Sequence, residues 1–249
     1  MKQEPYYRTD LAWVHHAGYA GHVENTRGGI VDRLREHGMR AGQSVLDVGC
    51  GTVLLACVLL AEGYAVHGVD ASPAMIDFAR GHAPGGQFDV TALPTRRAAG
   101  EAGGLPRADA VVSTGHVLNY IGARDDLALA LAELAEALRP GGLLAIDLMT
   151  ERFCEARDIR HPHAKVEDDW AMITRYSRPA PHRFDRDITV FRQVDNRWRR
   201  SDENHANVTF EVDVALAILR ANGVDARCRP AFGAETLPEG LVVLTGVKA

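Results

Sequence analysis

Cysteine is scarce and scattered. Cys50, Cys57, Cys154 and Cys228 form no C-x-x-C pair, which excludes a zinc ribbon and a disulfide framework and fits a reducing compartment. No apolar run is long enough to cross a bilayer, so no membrane partner is expected. The stretch Met1-Lys2-Gln3-Glu4-Pro5-Tyr6-Tyr7 lacks the apolar centre of a signal peptide, and a cytoplasmic location is expected. No block of lysine and arginine stands out and the net charge is −5, which argues against a nucleic-acid partner. His15-His16 and His161-Pro162-His163 are too close together, or too isolated, to hold a metal without carboxylate help, so none is expected. With 46% hydrophobic residues among 249, the chain has the length and composition for one large domain, or one domain with a lid.

Apolar segments alternate with helical ones. Residues 8–38 read as helical, with Leu11, Val14, Ala17, Ile30, Val31 and Leu34 spaced for one face and Gly28-Gly29 as a break between two helices. Strands are expected at Ser44–Val48, Ala65–Val69, Phe88–Val90, Ala108–Ser113 and Leu143–Leu148. Helices between them are expected at Leu54–Glu62, from Ser72-Pro73 to about Gly81, and at Asp125–Leu138, with Arg139-Pro140-Gly141-Gly142 as the stop. Residues 95–108 read as a loop with a partial helix. From Trp170 to Phe210 the period changes to two, with turns at Pro179-Ala180-Pro181 and Asp195-Asn196, which predicts a three-stranded antiparallel meander inserted into a parallel pattern. A helix over Val212–Asn222 and strands near Ala226–Pro230 and Leu241–Val247 complete a count of seven core strands.

The chemistry concentrates at Val45-Leu46-Asp47-Val48-Gly49-Cys50-Gly51-Thr52, followed one helix later by Gly68-Val69-Asp70. A strand runs into a glycine turn, a helix starts, and the next strand ends in a carboxylate. That arrangement holds an adenosine-type cofactor, because glycines let backbone approach the ligand and the acid takes ribose hydroxyls. A nicotinamide fingerprint needs G-x-G-x-x-G, and Leu54 stands where the third glycine would be. Asp47, two residues before the first glycine, would repel a pyrophosphate and suits a cationic ligand.

On these residues, stretch 45–80 resembles the cofactor half of the class I S-adenosylmethionine (SAM) dependent methyltransferases. The resemblance is specific over about 44–150 and loose elsewhere. It implies an α/β, Rossmann-like, seven-stranded, mostly parallel sheet with helices on both faces and an inserted antiparallel β lid. The implied division is a helical cap at 1–40, a SAM-binding core at 41–150 and 211–249, and a substrate lid at 151–210. SAM is the implied cofactor and S-adenosylhomocysteine its product. A lid of this type is similar to that of glycine and amino-sugar N-methyltransferases, so a small-molecule acceptor, methylated at oxygen or nitrogen, is expected. The Ala/Gly/Arg-rich composition associates with bacterial secondary metabolism, and a homodimer is compatible with this reading. The alternative is a SAM-binding protein that transfers no methyl group.

The resemblance also assigns roles. Gly49, Cys50 and Gly51 form the turn beside the cofactor, and Asp70 takes the ribose. Asp47 holds the methionine ammonium, or else caps the turn amides. Val53 stands where relatives often have glycine, and its branched side chain is expected to crowd the turn. Thr91, with Ala92, lies where relatives keep an acid near adenine. Ala71 and Met75 could pack on the ring, although a methionine at Met75 is more often core than adenine wall. Thr114 and Gly115 pass beside the sulfonium. His116 is the candidate base, or a histidine packed under the next helix. Asn119 and Tyr120 position the substrate or pack the fold. Tyr19 is the N-terminal candidate to reach the reacting methyl, with Tyr6, Tyr7 and Trp13 as rivals. Trp198 and His205 stand for the lid residues that would wall the acceptor pocket.

Overall fold

The computed structural model describes residues 6–249. Its central sheet is built on β1 (Ser44–Val48), whose side chains alternate between two buried faces. Around it lie β2 (Ala65–Asp70), β3 (Gln87–Val90), β4 (Ala108–Ser113) and β5 (Leu138–Met149). Two C-terminal strands, β10 (Val224–Arg229) and β11 (Leu241–Lys248), finish it, giving the order β10-β11-β5-β4-β1-β2-β3. All neighbours are parallel except β11, which runs antiparallel to both β5 and β10.

Helices cover both faces, so successive strand residues enter different cores. Leu46, Val111 and Leu144 pack under α5 (Arg124–Ala137) and α7 (Val212–Ala221), with Leu131 and Leu219. Val45, Val112 and Ala145 face α2 (Gly21–Glu36), α3 (Leu54–Ala61) and α4 (Pro73–His82), with Leu34, Leu59 and Ile76. Ser72 caps α4 by accepting from Met75 N at 3.1 Å, with Pro73 at the first helical position, as its sequence predicts.

Between β5 and α7 lie the short helix α6 (Glu151–Glu155) and a second, antiparallel sheet. Its strands are β6 (His163–Val166), β7 (Trp170–Ser177), β8 (Arg183–Val194) and β9 (Arg197–Val208), in that order. Both residues of the Asp195-Asn196 turn have positive φ, 50° and 60°, as a two-residue hairpin turn requires. Helix α1 (Thr9–Gly18) packs on this sheet through Leu11 and Val14 against Trp170, Ile188 and Val190.

Four local expectations change. The break between the N-terminal helices falls at Tyr19-Ala20, and Gly28-Gly29 lies inside α2. Gly29 is there for contact: a Cβ would sit 2.4 Å from Glu235 Oε2 and 2.6 Å from Gly233 N. The second sheet has four strands, the extra one following the His161-Pro162 segment, whose composition hides it. Residues 95–107 form turns without a helix. Helix α5 runs directly into β5 at Leu138, so Arg139–Gly142 begins the strand.

Candidate active site

At the carboxyl ends of β1, β2 and β4 lies a cavity of about 370 Å³, in the range of small-molecule sites. Asp47, Gly49, Cys50, Gly51, Asp70, Ala71, Met75, Thr91, Ala92, Thr114, Gly115 and Tyr120 all line it. One wall is thus the glycine turn, another the entry to α4, and a third the segment after β4.

The turn's geometry follows from its glycines. Gly49 has φ +69° and Gly51 φ +52°, and a Cβ on Gly49 would fall 2.3 Å from Val117 Cγ1. Gly49 and Cys50 both donate to Val69 O, at 2.7 and 3.1 Å, fastening the turn to β2. Val53 also adopts the left-handed conformation, φ +66°, which is unusual for a β-branched residue. Its side chain turns away from the cavity into the core beneath α3, where it is buried beside Leu59 and Ile76. The expected crowding therefore does not occur: the strain is in the backbone.

The two acids are placed differently. Asp70 Oδ2 accepts from Gly51 N at 3.1 Å and Oδ1 from Ser72 N at 2.8 Å, and burial raises its pKa to about 6. Asp47 is 2% exposed, and its Oδ2 has no hydrogen-bond partner. Burial first, and the Asp70 charge second, lift its pKa to about 7. A buried carboxylate oxygen facing a cavity without a donor matches a ligand that brings a cationic group. The cradle therefore fits a cofactor with an ammonium, a ribose and no phosphate.

Two of the three rivals of Tyr19, Tyr6 and Tyr7, close the cavity together with His15, which was not expected there, while Trp13 is not on its wall. Tyr6, Tyr7 and His15 line it from the N-terminal side. Tyr7 is tied at three points: its hydroxyl lies 2.7 Å from that of Tyr120, its carbonyl accepts from Ser72 Oγ at 2.7 Å, and its amide donates to Glu203 at 2.8 Å. It straps the second sheet to the entry of α4. Burial pushes the His15 imidazole down to about 4, so it is neutral near pH 7.

Five expected site residues lie off the cavity wall. His116 has φ +48° and heads a short 3₁₀ turn, Val117–Tyr120. Its ring stacks on Tyr120 at 6.1 Å and meets Phe153 at 5.6 Å on the side of the second sheet. Burial, then the Arg186 charge, lowers its pKa to about 3, and Nδ1 is buried without a partner. Tyr19 ends α1 against Trp170, ring centroids 6.0 Å apart, and burial raises its pKa to about 12. Asn119 is fully buried and committed to backbone: Nδ2 donates to Met149 O and Val208 O, and Oδ1 accepts from Met149 N. Trp198 is 56% exposed near the β8–β9 turn. His205 is buried under Tyr6, Tyr7 and Tyr120, with Nε2 2.8 Å from Glu203.

One residue that organises the site was not anticipated. Asp147, in β5, accepts from Gly115 N at 2.9 Å and His116 N at 2.7 Å, and His22 Nε2 stands 3.0 Å away. A lone acid inside the apolar run Leu143–Met149 is the sequence signal for it.

The methyltransferase domain family matches residues 46–146. A protein of Geobacillus sp. (strain WCH70) named as a methyltransferase is 30% identical over 190 residues, 74% of each chain. Human glycine N-methyltransferase is 35% identical over 133 residues, covering 47% of this chain and 43% of that protein. Among solved structures, the sugar N-methyltransferase KedS8 from Streptoalloteichus sp. ATCC 53650 superposes with a TM-score of 0.76 over 100% of this chain and 95% of that one, at 21% identity, a likeness of fold. The chain belongs to the class I SAM-dependent methyltransferases.

Proposed function

We propose that the protein transfers a methyl group from SAM to a nitrogen or oxygen of a small molecule. The observation that carries this is Asp47 Oδ2, buried and unpartnered on the wall of a cavity whose opposite acid, Asp70, closes the glycine turn. Asp47 receives the methionine ammonium and Asp70 the ribose hydroxyls. Ala71, Met75, Thr91 and Ala92 wall the adenine, while Thr114 and Gly115 flank the reacting centre. Bound there, SAM supplies an electrophilic methyl on a sulfonium.

The chain's own part is positioning, exclusion of water and proton handling. The Tyr7–Tyr120 pair and the second sheet close the acceptor side. That enclosure and the absence of a basic block support a small acceptor over a polymer. His116, neutral near pH 7, lies behind Tyr120 rather than on the cavity wall, so it would reach a proton on the nucleophile only if its ring turned, and burial makes it a weak base. An amine rather than an alcohol is the acceptor that the names of the relatives favour. Glycine and amino sugars, the acceptor classes named for the relatives, both present such an amine, and sugar acceptors fit secondary metabolism.

The test is incubation with methyl-labelled SAM and a panel of amino acids, amino sugars and hydroxylated aromatics, reading S-adenosylhomocysteine and methylated product by mass spectrometry. Acceptor-dependent product, strongest with amines, is expected. Tight SAM binding with no S-adenosylhomocysteine on any acceptor would instead establish a non-methylating SAM protein.

A further inference from the structure

Strand β8 alternates. Phe184, Ile188 and Val190 are buried, while Asp185, Asp187 and Thr189 are more open. Arg186 falls in the inward register, so a cation occupies a position whose neighbours are core. Its cross-strand partners are Tyr176 on β7 and His205 on β9, a row of three polar heads on one face of the sheet. The guanidinium lies over the Tyr120 ring, 4.7 Å from the centroid, and Tyr120 lines the cavity.

Among the described residues, Arg186 has no carboxylate within ion-pairing distance. Its Nε and Nη2 are both shut off from water, and neither donates a hydrogen bond. The other inward arginine of this strand, Arg192, pairs with Asp10, as does Arg199 on β9. The acid nearest in register, Glu203, is committed to the amides of Tyr7 and Arg8 and to His205. Arg186 is half-buried as a residue, with the Tyr7 hydroxyl and the Tyr120 ring beside it, but two buried donors without acceptors cost stability, and their retention calls for a group that arrives from outside. Nε and Nη2 form the side edge of the guanidinium, two parallel donors spaced for the two oxygens of a carboxylate.

We propose that Arg186 anchors a carboxylate on the acceptor, holding its nucleophile under the Tyr7–Tyr120 pair. This rests on the methyltransferase reading and narrows its acceptor to carboxylated small molecules. Tyr7, His15, His116 and His205 are the titratable groups that feel the Arg186 charge, and one of these rings must turn aside to admit the anion.

The experiment uses sodium acetate as the minimal carboxylate, acetamide as its neutral isostere and inorganic phosphate as the rival anion. They are titrated at constant ionic strength into the full chain with S-adenosylhomocysteine already bound, followed by calorimetry and thermal melting. Acetate is expected to bind at least tenfold tighter than acetamide and phosphate. Arg186→Gln should lose at least tenfold in acetate affinity, with Arg186→Lys between the two. Arg186→Met should melt above the wild type without acetate, because it removes a strained charge, and this separates lost recognition from lost folding. Equal binding of acetate and acetamide, tighter binding of phosphate, unchanged acetate affinity in Arg186→Gln, or a lowered melting temperature in Arg186→Met would each overturn the assignment. Failure of S-adenosylhomocysteine itself to bind would instead strike the methyltransferase reading, and acetate titrated into the protein alone would still read Arg186.

Discussion

The Asp147 carboxylate holds the loop after β4 by its backbone, accepting from Gly115 N and His116 N, and orients the His22 imidazole through Oδ2. One buried acid thus joins β5, the cavity wall and the start of α2. Replacing it by alanine leaves two backbone donors unpaired in the interior. Asp147→Ala should cost about 3–5 kcal/mol of stability, read as a lower midpoint in urea unfolding. Asp147→Asn retains one acceptor and should cost less.

Val53 makes a sharper test of local strain. Alanine would keep the left-handed backbone penalty and lose two buried methyl groups, whereas glycine loses those and one carbon more but relieves the penalty, about 1–2 kcal/mol. Val53→Ala is therefore expected to be less stable than Val53→Gly, the reverse of the usual order. Paired urea melts decide it, and a more stable alanine variant would contradict the geometry.

Asn119 spends its whole side-chain amide on Met149 and Val208, joining the cavity loop to both sheets. Asn119→Ala should lower stability by about 2–4 kcal/mol, because Met149 N and two carbonyls lose their partners. Where the variant still folds, its acceptor KM should stay within about twofold at low temperature. A large KM rise with unchanged stability would return Asn119 to the substrate.

Asp47 predicts a pH dependence. Its pKa in the fold, about 7, lies above the ordinary carboxylate value, so the folded protein holds its proton more tightly than the unfolded chain. That stabilisation is complete below the unfolded pKa and is lost as pH rises towards 7. His15 and His116 act oppositely: their pKa values fall to about 4 and about 3, so stability is lost as pH drops below the unfolded histidine value. The difference between Asp47→Asn and the wild type isolates the acid. In the unliganded protein the variant should gain on the wild type by up to about 1.4 kcal/mol per pH unit between pH 4 and 7, then level off. Melting curves across pH 4–8 check this.

Much of the scaffold was legible because the signals were local. Alternation and glycines place β1, β2, β4 and the first cavity wall, Ser72-Pro73 announces α4, and Asp195-Asn196 announces the β8–β9 hairpin. What was missed depends on tertiary placement. Tyr7 and Tyr19 are alike in sequence, but only Tyr7 falls where Ser72, Tyr120 and Glu203 meet it. Val53 read as a steric problem because its φ, which directs the Cβ inward, is invisible in a residue name. Gly28-Gly29 read as a break because a glycine needed for packing against Gly233 looks the same as one that ends a helix. Asp147 and Arg186 had a readable signal, a charge at a position where the pattern demands an apolar residue.

The central claim is that the glycine turn, Asp47 and Asp70 form a cofactor site. Its most direct test is calorimetric titration with S-adenosylhomocysteine, comparing wild type with Asp70→Ala. Micromolar binding, about −8 kcal/mol, weakened at least tenfold in the variant is the predicted result. Absence of binding in the wild type, or equal binding in both proteins, would contradict it.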